Sequence, residues 1–111
     1  MSRRQHLLFV CSRNQKRSPT GERIFAESEG FEARSRGLRA SAKRQLTAAD
    51  VTWADAIFVM ESEHKRELLR LFREEAQGRK IVVLDIPDEY ELMDPELIDL
   101  ITAGVRGALG K

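Results

Sequence analysis

Cysteine is nearly absent: Cys11 is the only one in 111 residues, so no internal disulfide can form. One cysteine with two histidines gives no zinc cluster at a recognisable spacing, and neither a metal nor another cofactor is expected. Long apolar runs are missing too. None approaches the roughly 20 residues that a membrane helix needs, so no membrane partner is expected. The N-terminal Met1-Ser2-Arg3-Arg4-Gln5-His6 is basic, but only the four apolar residues Leu7 to Val10 precede Cys11, too few for the core of a secretory signal. A cytoplasmic location is therefore the expectation. Repeats and low-complexity linkers are absent, and the chain lacks the aromatic-basic alternation of a nucleic-acid reader, so no nucleic-acid partner is expected.

What is present suits one domain spanning 1–111, with room for a single core. Formal charge is only +1, yet the layout is polar: residues 1–46 hold 11 Lys and Arg against 4 Glu, while residues 81–101 hold 7 acids and no base. Such asymmetry suits an enzyme that attracts a dianion to its basic half and protonates a leaving group from an acidic loop. The Arg36 to Arg44 run reads as a solvated loop or as a rim that selects acidic phosphopeptides.

Strand and helix signals alternate. His6 to Val10 is a nearly continuous apolar run, the pattern of a strand buried on both faces. Ser18-Pro19 reads as N-cap and first position of a helix ending near Glu29, before Gly30. Phe31 to Ser35 is a weaker strand, and Arg36 to Gln45 a loop. Thr47 and Asp50 form a capping-box pattern opening a short helix towards Trp53. Ala56 to Met60 is a buried strand; Ser62 is placed to cap a helix with Leu68, Leu69, Leu71 and Phe72 on one face, ending near Gly78. Lys80 to Asp85 is a fourth strand, and Asp94-Pro95 opens a last helix with Leu97, Ile98, Ile101, Val105 and Leu109 at helical spacing. The prediction is an α/β three-layer sandwich: a four-stranded parallel sheet flanked by helices, with ligands bound beyond the carboxyl ends of the strands. Trp53, Phe9, Phe25 and Phe58 are expected in the core. His6 and His64 are read as surface or helix-start residues without a catalytic role.

Cys11 stands at such a strand end and begins Cys11-Ser12-Arg13-Asn14-Gln15-Lys16-Arg17-Ser18, a Cys-x5-Arg-Ser loop leading into a helix. A phosphate seated there meets the backbone N–H groups of Ser12 to Arg17 and the positive end of the helix. Arg17 adds a planar fork to two phosphate oxygens. The same field, with the Ser18 hydroxyl as donor to sulfur, favours the thiolate, which can attack phosphorus in line and form a phosphocysteine that water then hydrolyses. The plain alternative is that Cys11 is a small buried residue like most free cysteines. The conjunction of buried strand, cysteine, polar loop and Arg-Ser-Pro favours the chemical reading.

At these residues the sequence resembles the low-molecular-weight protein tyrosine phosphatases, whose motif is an apolar strand, Cys, five residues with Asn third, then Arg-Ser-Pro. Asn14, Arg17, Ser18 and Pro19 fit. The resemblance continues through Arg34-Ser35-Arg36-Gly37 and from Leu46 to Glu61 with His64, nearly the whole chain. It implies supporting roles for Asn14 and Ser35 in holding the loop, and phosphotyrosine proteins or small aryl phosphates as substrates with inorganic phosphate as product. Arg13 stands where the family usually has Gly, and Ser12 where many members have a second Cys that could rescue an oxidised nucleophile.

Expelling a tyrosine oxygen requires a proton donor opposite Cys11, and Asp85, Asp88 and Asp94 compete for it in the acidic segment. In the family the acid lies in an Asp-Pro-Tyr stretch before the last helix, which places Asp88 there with Tyr90 retained. Asp94 already has a capping job, and Asp85 can simply close the strand. Tyr90 either lines the entrance or packs on the last helix. A metal-independent phosphomonoesterase is the leading function; the alternative is a catalytically weak or inactive phosphate- or phosphopeptide-binding module on the same fold.

Overall fold

The structure, a computed structural model, describes residues 4–110; Met1 to Arg3 of the basic N-terminal run and Lys111 lie outside the described residues. Four strands, β1 (Gln5–Cys11), β2 (Phe31–Gly37), β3 (Ala56–Val59) and β4 (Lys80–Val83), pair in parallel in the order β2-β1-β3-β4. Five helices connect and cover them: α1 (Arg17–Ala26), α2 (Ala48–Trp53), α3 (Ser62–Leu71), α4 (Arg73–Ala76) and α5 (Pro95–Leu109). The α/β sandwich expected from the alternating pattern is the observed architecture.

The central strand explains its own composition. Leu7, Phe9 and Cys11 face one layer with Phe25, Phe58, Leu97, Ile101 and Val105, while Leu8 and Val10 face the other with Val51, Ile57, Val59 and Leu68. Alternate side chains of a strand point to opposite faces, so a strand covered on both must be apolar throughout. Full burial of each such side chain contributes about 1.5–3 kcal/mol, which holds β1 in register between β2 and β3. Phe9 stacks between Phe25 and Phe58, with ring centroids 5.8 and 5.5 Å away. Gly21 lets α1 settle directly on that ring: a Cβ there would stand 2.5 Å from Phe9 Cδ1.

Several boundaries differ from expectation, each for a local reason. The first helix begins at Arg17 rather than Pro19, because the Ser18 hydroxyl turns to Cys11 Sγ and Asn14 instead of capping. It stops at Ala26, short of Glu29. Glu61, not Ser62, is the N-cap of α3, and the helix breaks at Phe72, where φ is −132° and ψ 44°, before the short α4. Leu71 consequently lies 43 % exposed, outside the apolar face. β2 runs on to Gly37, and β4 stops at Val83, two residues before Asp85, which has φ 57°. Trp53 is only half-buried and stacks on His6, with Arg34 over its ring. The Thr47–Asp50 capping box and the Asp94-Pro95 helix start stand as expected, the box contributing about 1 kcal/mol to α2. No helix among the described residues is long and apolar enough to cross a membrane.

Candidate active site

β1 delivers Cys11 to the carboxyl edge of the sheet, where its side chain is 4 % exposed. The Sγ atom has two polar neighbours: Ser18 Oγ at 3.0 Å and the backbone N–H of Asn14, which donates to it at 3.3 Å. Asn14 Nδ2 donates to Ser18 Oγ at 2.9 Å, freeing the single Ser18 hydroxyl proton to point at sulfur. A relay of donors thus ends on the sulfur.

The loop bends at Asn14, which has φ 57°. Asn is among the few non-glycine residues that enter this left-handed region at modest cost. Arg13, standing where the resembled family has Gly, is not among the positive-φ residues, so the loop asks no glycine of that position. Asn14 Oδ1 is buried without a hydrogen-bond partner among the described residues. A left-handed backbone and an unpaired acceptor in one residue mark the loop as a place where local strain is retained.

Arg17, 4 % exposed, forms the far wall. Its Nη1 donates to the Ile86 carbonyl at 2.7 Å and to Glu61 Oε2 at 2.5 Å, while Nε lies 3.8 Å from Asp88 Oδ1. That hydrogen bond from Arg17 holds the Glu61 carboxyl below its ordinary range. Between Cys11 and Arg17 opens a cavity of about 300 Å3, lined by the loop residues Ser12, Arg13, Gln15 and Lys16 and, across from them, Arg39, Glu61 and Asp88.

Asp88 alone of the three aspartates reaches this cavity. Asp94 accepts from the Glu96 N–H as an N-cap, and Asp85 sits exposed at the strand end. Tyr90 is turned away: its hydroxyl donates to Glu96 Oε2 at 2.8 Å, which raises its pKa, and its ring packs on the core beside α5. Ser35 donates to Glu22 Oε1 at 2.6 Å and not to the loop; the neighbouring Arg36 carbonyl lies 3.4 Å from Ser18 Oγ and competes at longer range with Cys11 Sγ for its one proton.

Glu61 and His64, neither assigned a role in the site from the sequence, complete it; His64 is at a helix start as expected but is buried rather than on the surface. His64, 5 % exposed, accepts the Glu61 backbone N–H at Nδ1, 3.1 Å away. A backbone N–H can only donate, so the ring proton lies on Nε2 and is given to Ser12 Oγ at 3.1 Å. Burial and the Arg17 charge push the His64 pKa down, consistent with a neutral ring. The first turn of α3 therefore grips both ends of the loop, Ser12 through His64 and Arg17 through Glu61. The signal was present: Glu61-x-x-His64 has N-cap-to-N3 spacing directly beyond the carboxyl end of a parallel strand.

Comparisons with known proteins bear on the fold. No family model and no curated protein sequence matches the chain significantly. Among solved structures, Wzb from Vibrio vulnificus, in complex with benzylphosphonate, is similar at TM-score 0.75 and 26% identity, covering 96% of this chain and 97% of that one. The YwlE arginine phosphatase from Geobacillus stearothermophilus is similar at 0.74 and 23%, covering 96% and 93%. A low-molecular-weight protein tyrosine phosphatase from T. tengcongensis is similar at 0.72 and 24%, covering 93% and 99%. The chain is a structural relative of the low-molecular-weight protein tyrosine phosphatases and has their fold.

Proposed function

We propose that the chain is a phosphomonoesterase working without a metal through a phosphocysteine on Cys11. The observation that carries this reading is the environment of Cys11 Sγ, bonded to Ser18 Oγ and the Asn14 N–H at the base of a cavity whose wall is Arg17. A phosphate dianion in this cavity accepts from the loop N–H groups and from the free edge of the Arg17 guanidinium, placing phosphorus above sulfur. The thiolate attacks as the ester oxygen departs on the opposite side, and the S–P bond forms as the P–O bond breaks. Charge on the equatorial oxygens is met by donors already in place. Asp88, on the open side, gives its proton to the departing oxygen and then takes one from the water that hydrolyses phosphocysteine, releasing inorganic phosphate. His64 and Glu61 touch neither substrate nor sulfur in this scheme; they are positioning residues for Ser12 and Arg17.

Phosphotyrosine proteins and small aryl phosphates are the substrates this reading favours, supported by the tyrosine phosphatase neighbours and by the benzylphosphonate complex of Wzb. One observation favours the second reading, a weak or non-catalytic phosphate binder: Glu61 and Asp88 both crowd Arg17, so phosphate must compete for the fork. Turnover of para-nitrophenyl phosphate with chelator present separates them. Phosphatase chemistry requires release of nitrophenol that is lost in Cys11→Ser, with phosphocysteine trapped by rapid quench. Phosphate binding without turnover supports the binder.

A further inference from the structure

Beside the phosphate cavity lies a second one of about 500 Å3, and both are lined by Ser12 and Arg39. A role for the second rests on the first being a phosphate site. The 38–45 loop is zipped to the Cys11 loop by three backbone bonds, from Leu38 N to Cys11 O, Arg39 N to Ser12 O and Lys43 N to Arg13 O, at 2.9–3.1 Å. Gly37 permits that approach, since a Cβ there would lie 2.8 Å from Ser12 O. The backbone of Arg39 is thereby fixed at the border of the two cavities, and its exposed side chain lines both.

Part of the basic segment is paired within the fold. Arg34 and Arg36 share Asp50 at 3.1 and 3.0 Å, and Arg44 pairs with Glu22 at 3.3 Å. Arg39 has no side-chain partner among the described residues, and neither has Arg66, which reaches the second cavity from α3. Of the two acids lining the same space, Glu67 is taken by Arg70 through two bonds at 2.9 and 2.7 Å, leaving Glu63. Two unpaired guanidinium groups against one carboxylate leave a net single positive charge, with Leu38 and His64 supplying the less polar wall. That balance suits a monoanion such as a carboxylate, whereas the Glu63 carboxylate opposes a second phosphate dianion.

We propose that this cavity is a subsite for an Asp or Glu side chain flanking the phosphorylated residue of a protein substrate, with Arg39 and Arg66 as its anchors. Neighbouring residues of an extended peptide advance about 3.3–3.6 Å each, so side chains one or two positions apart reach adjoining cavities. Guanidinium–carboxylate hydrogen bonds are charge-assisted and can be bidentate, which adds specificity as well as strength.

The test measures binding of phosphotyrosine peptides to the Cys11→Ser variant, with Glu, Ala or Lys in the two positions flanking the phosphotyrosine. The expected order is Glu, Ala, Lys, with about tenfold between Glu and Ala. Arg66→Ala, which lies outside the phosphate cavity, should abolish most of the Glu preference while para-nitrophenyl phosphate turnover of the otherwise native chain stays unchanged. Equal binding of Glu and Ala peptides overturns the subsite, as does a preference that survives loss of both Arg39 and Arg66. Absence of nitrophenol release would instead sink the catalytic reading, and peptide binding would still decide the subsite.

Discussion

The segment from Cys11 to Ser18 and the segment from Leu84 to Asp94 close the same cavity in opposite ways. In the first, Cys11, Asn14, Arg17 and Ser18 are all 4 % exposed or less and are tied to one another, to α3 and to the 38–45 loop. In the second, Asp85, Asp88 and Glu89 are exposed, and the segment is pinned at few points. Leu84 and Ile86 donate to Val59 and Met60, Met93 N donates to Thr20 Oγ1, and Lys16 meets Glu91 at 3.2 Å. The contrast reflects the part each segment takes in the proposed reaction. Donors that stabilise developing charge act only if they are already in place, which demands burial and multiple bonds. A proton donor needs reach and hydration, and a tethered exposed loop supplies both.

Breaking the buried side should give the largest loss. Arg17→Lys removes the planar fork, leaves Ile86 O and Glu61 to share a point charge, and shortens the reach to phosphate. The expected outcome is a fall of about 10²–10³ in kcat/KM on every phosphomonoester alike, together with weaker competitive inhibition by inorganic phosphate. A loss confined to one substrate class would show that Arg17 reads the leaving group rather than the phosphate.

The exposed side should fail selectively. Asp88→Asn is expected to slow phenyl phosphate, whose leaving oxygen needs a proton, by about 10²-fold, while para-nitrophenyl phosphate slows far less. Equal slowing of both substrates would remove Asp88 from the acid role. The same split appearing in Asp94→Asn would move that role to the helix cap.

The same contrast explains what was legible in the chain. Leu7 to Val10 and Ala56 to Val59 read correctly as strands because both sheet faces are covered, so burial wrote itself as continuous apolar sequence. Asp94-Pro95 and the spacing of Leu97, Ile101 and Val105 read correctly because cap chemistry and helical period are local. Ser18-Pro19 misled because the Ser18 hydroxyl was recruited across the loop by Cys11 and Asn14, a tertiary demand that overrides a local cap. The break at Phe72 carries neither Pro nor Gly, so no local signal marked it. Ser35 was placed by family resemblance, and in this chain Glu22 holds its hydroxyl instead; of the two alternatives for Tyr90, packing on the last helix is the one observed, with its hydroxyl on Glu96. His64 looked idle because its two partners, Ser12 and the Glu61 amide, are only brought together by the sheet edge.

His64 joins the rigid side to the rest of the fold, and its loss should be the mildest of the three but the most pH-sensitive. His64→Asn retains an acceptor near Nδ1 for the Glu61 N–H and drops the bond to Ser12; His64→Gln reaches Ser12 and gives up Glu61. If the grip on Arg17 matters most, Gln should raise KM more than Asn, by about tenfold, with kcat moving less. Burial lowers the folded-state pKa of His64 below its ordinary 6.5, so the unfolded chain binds the extra proton first as pH falls. The stabilisation is complete above pH 6.5 and is lost as pH drops towards the lower folded-state value. Glu61 adds to the same trend in a more acidic window, because its carboxyl is held below 4.5 by Arg17 and that contribution disappears only when the carboxylate protonates. Thermal melts from pH 7.5 down to 5.5 should therefore show Tm falling in the native chain and falling less in His64→Asn. A native Tm that is flat over this range would mean that the ring takes up its proton at the same pH in the folded and unfolded chains, and the clamp would not be the pH-sensitive joint between α3 and the loop.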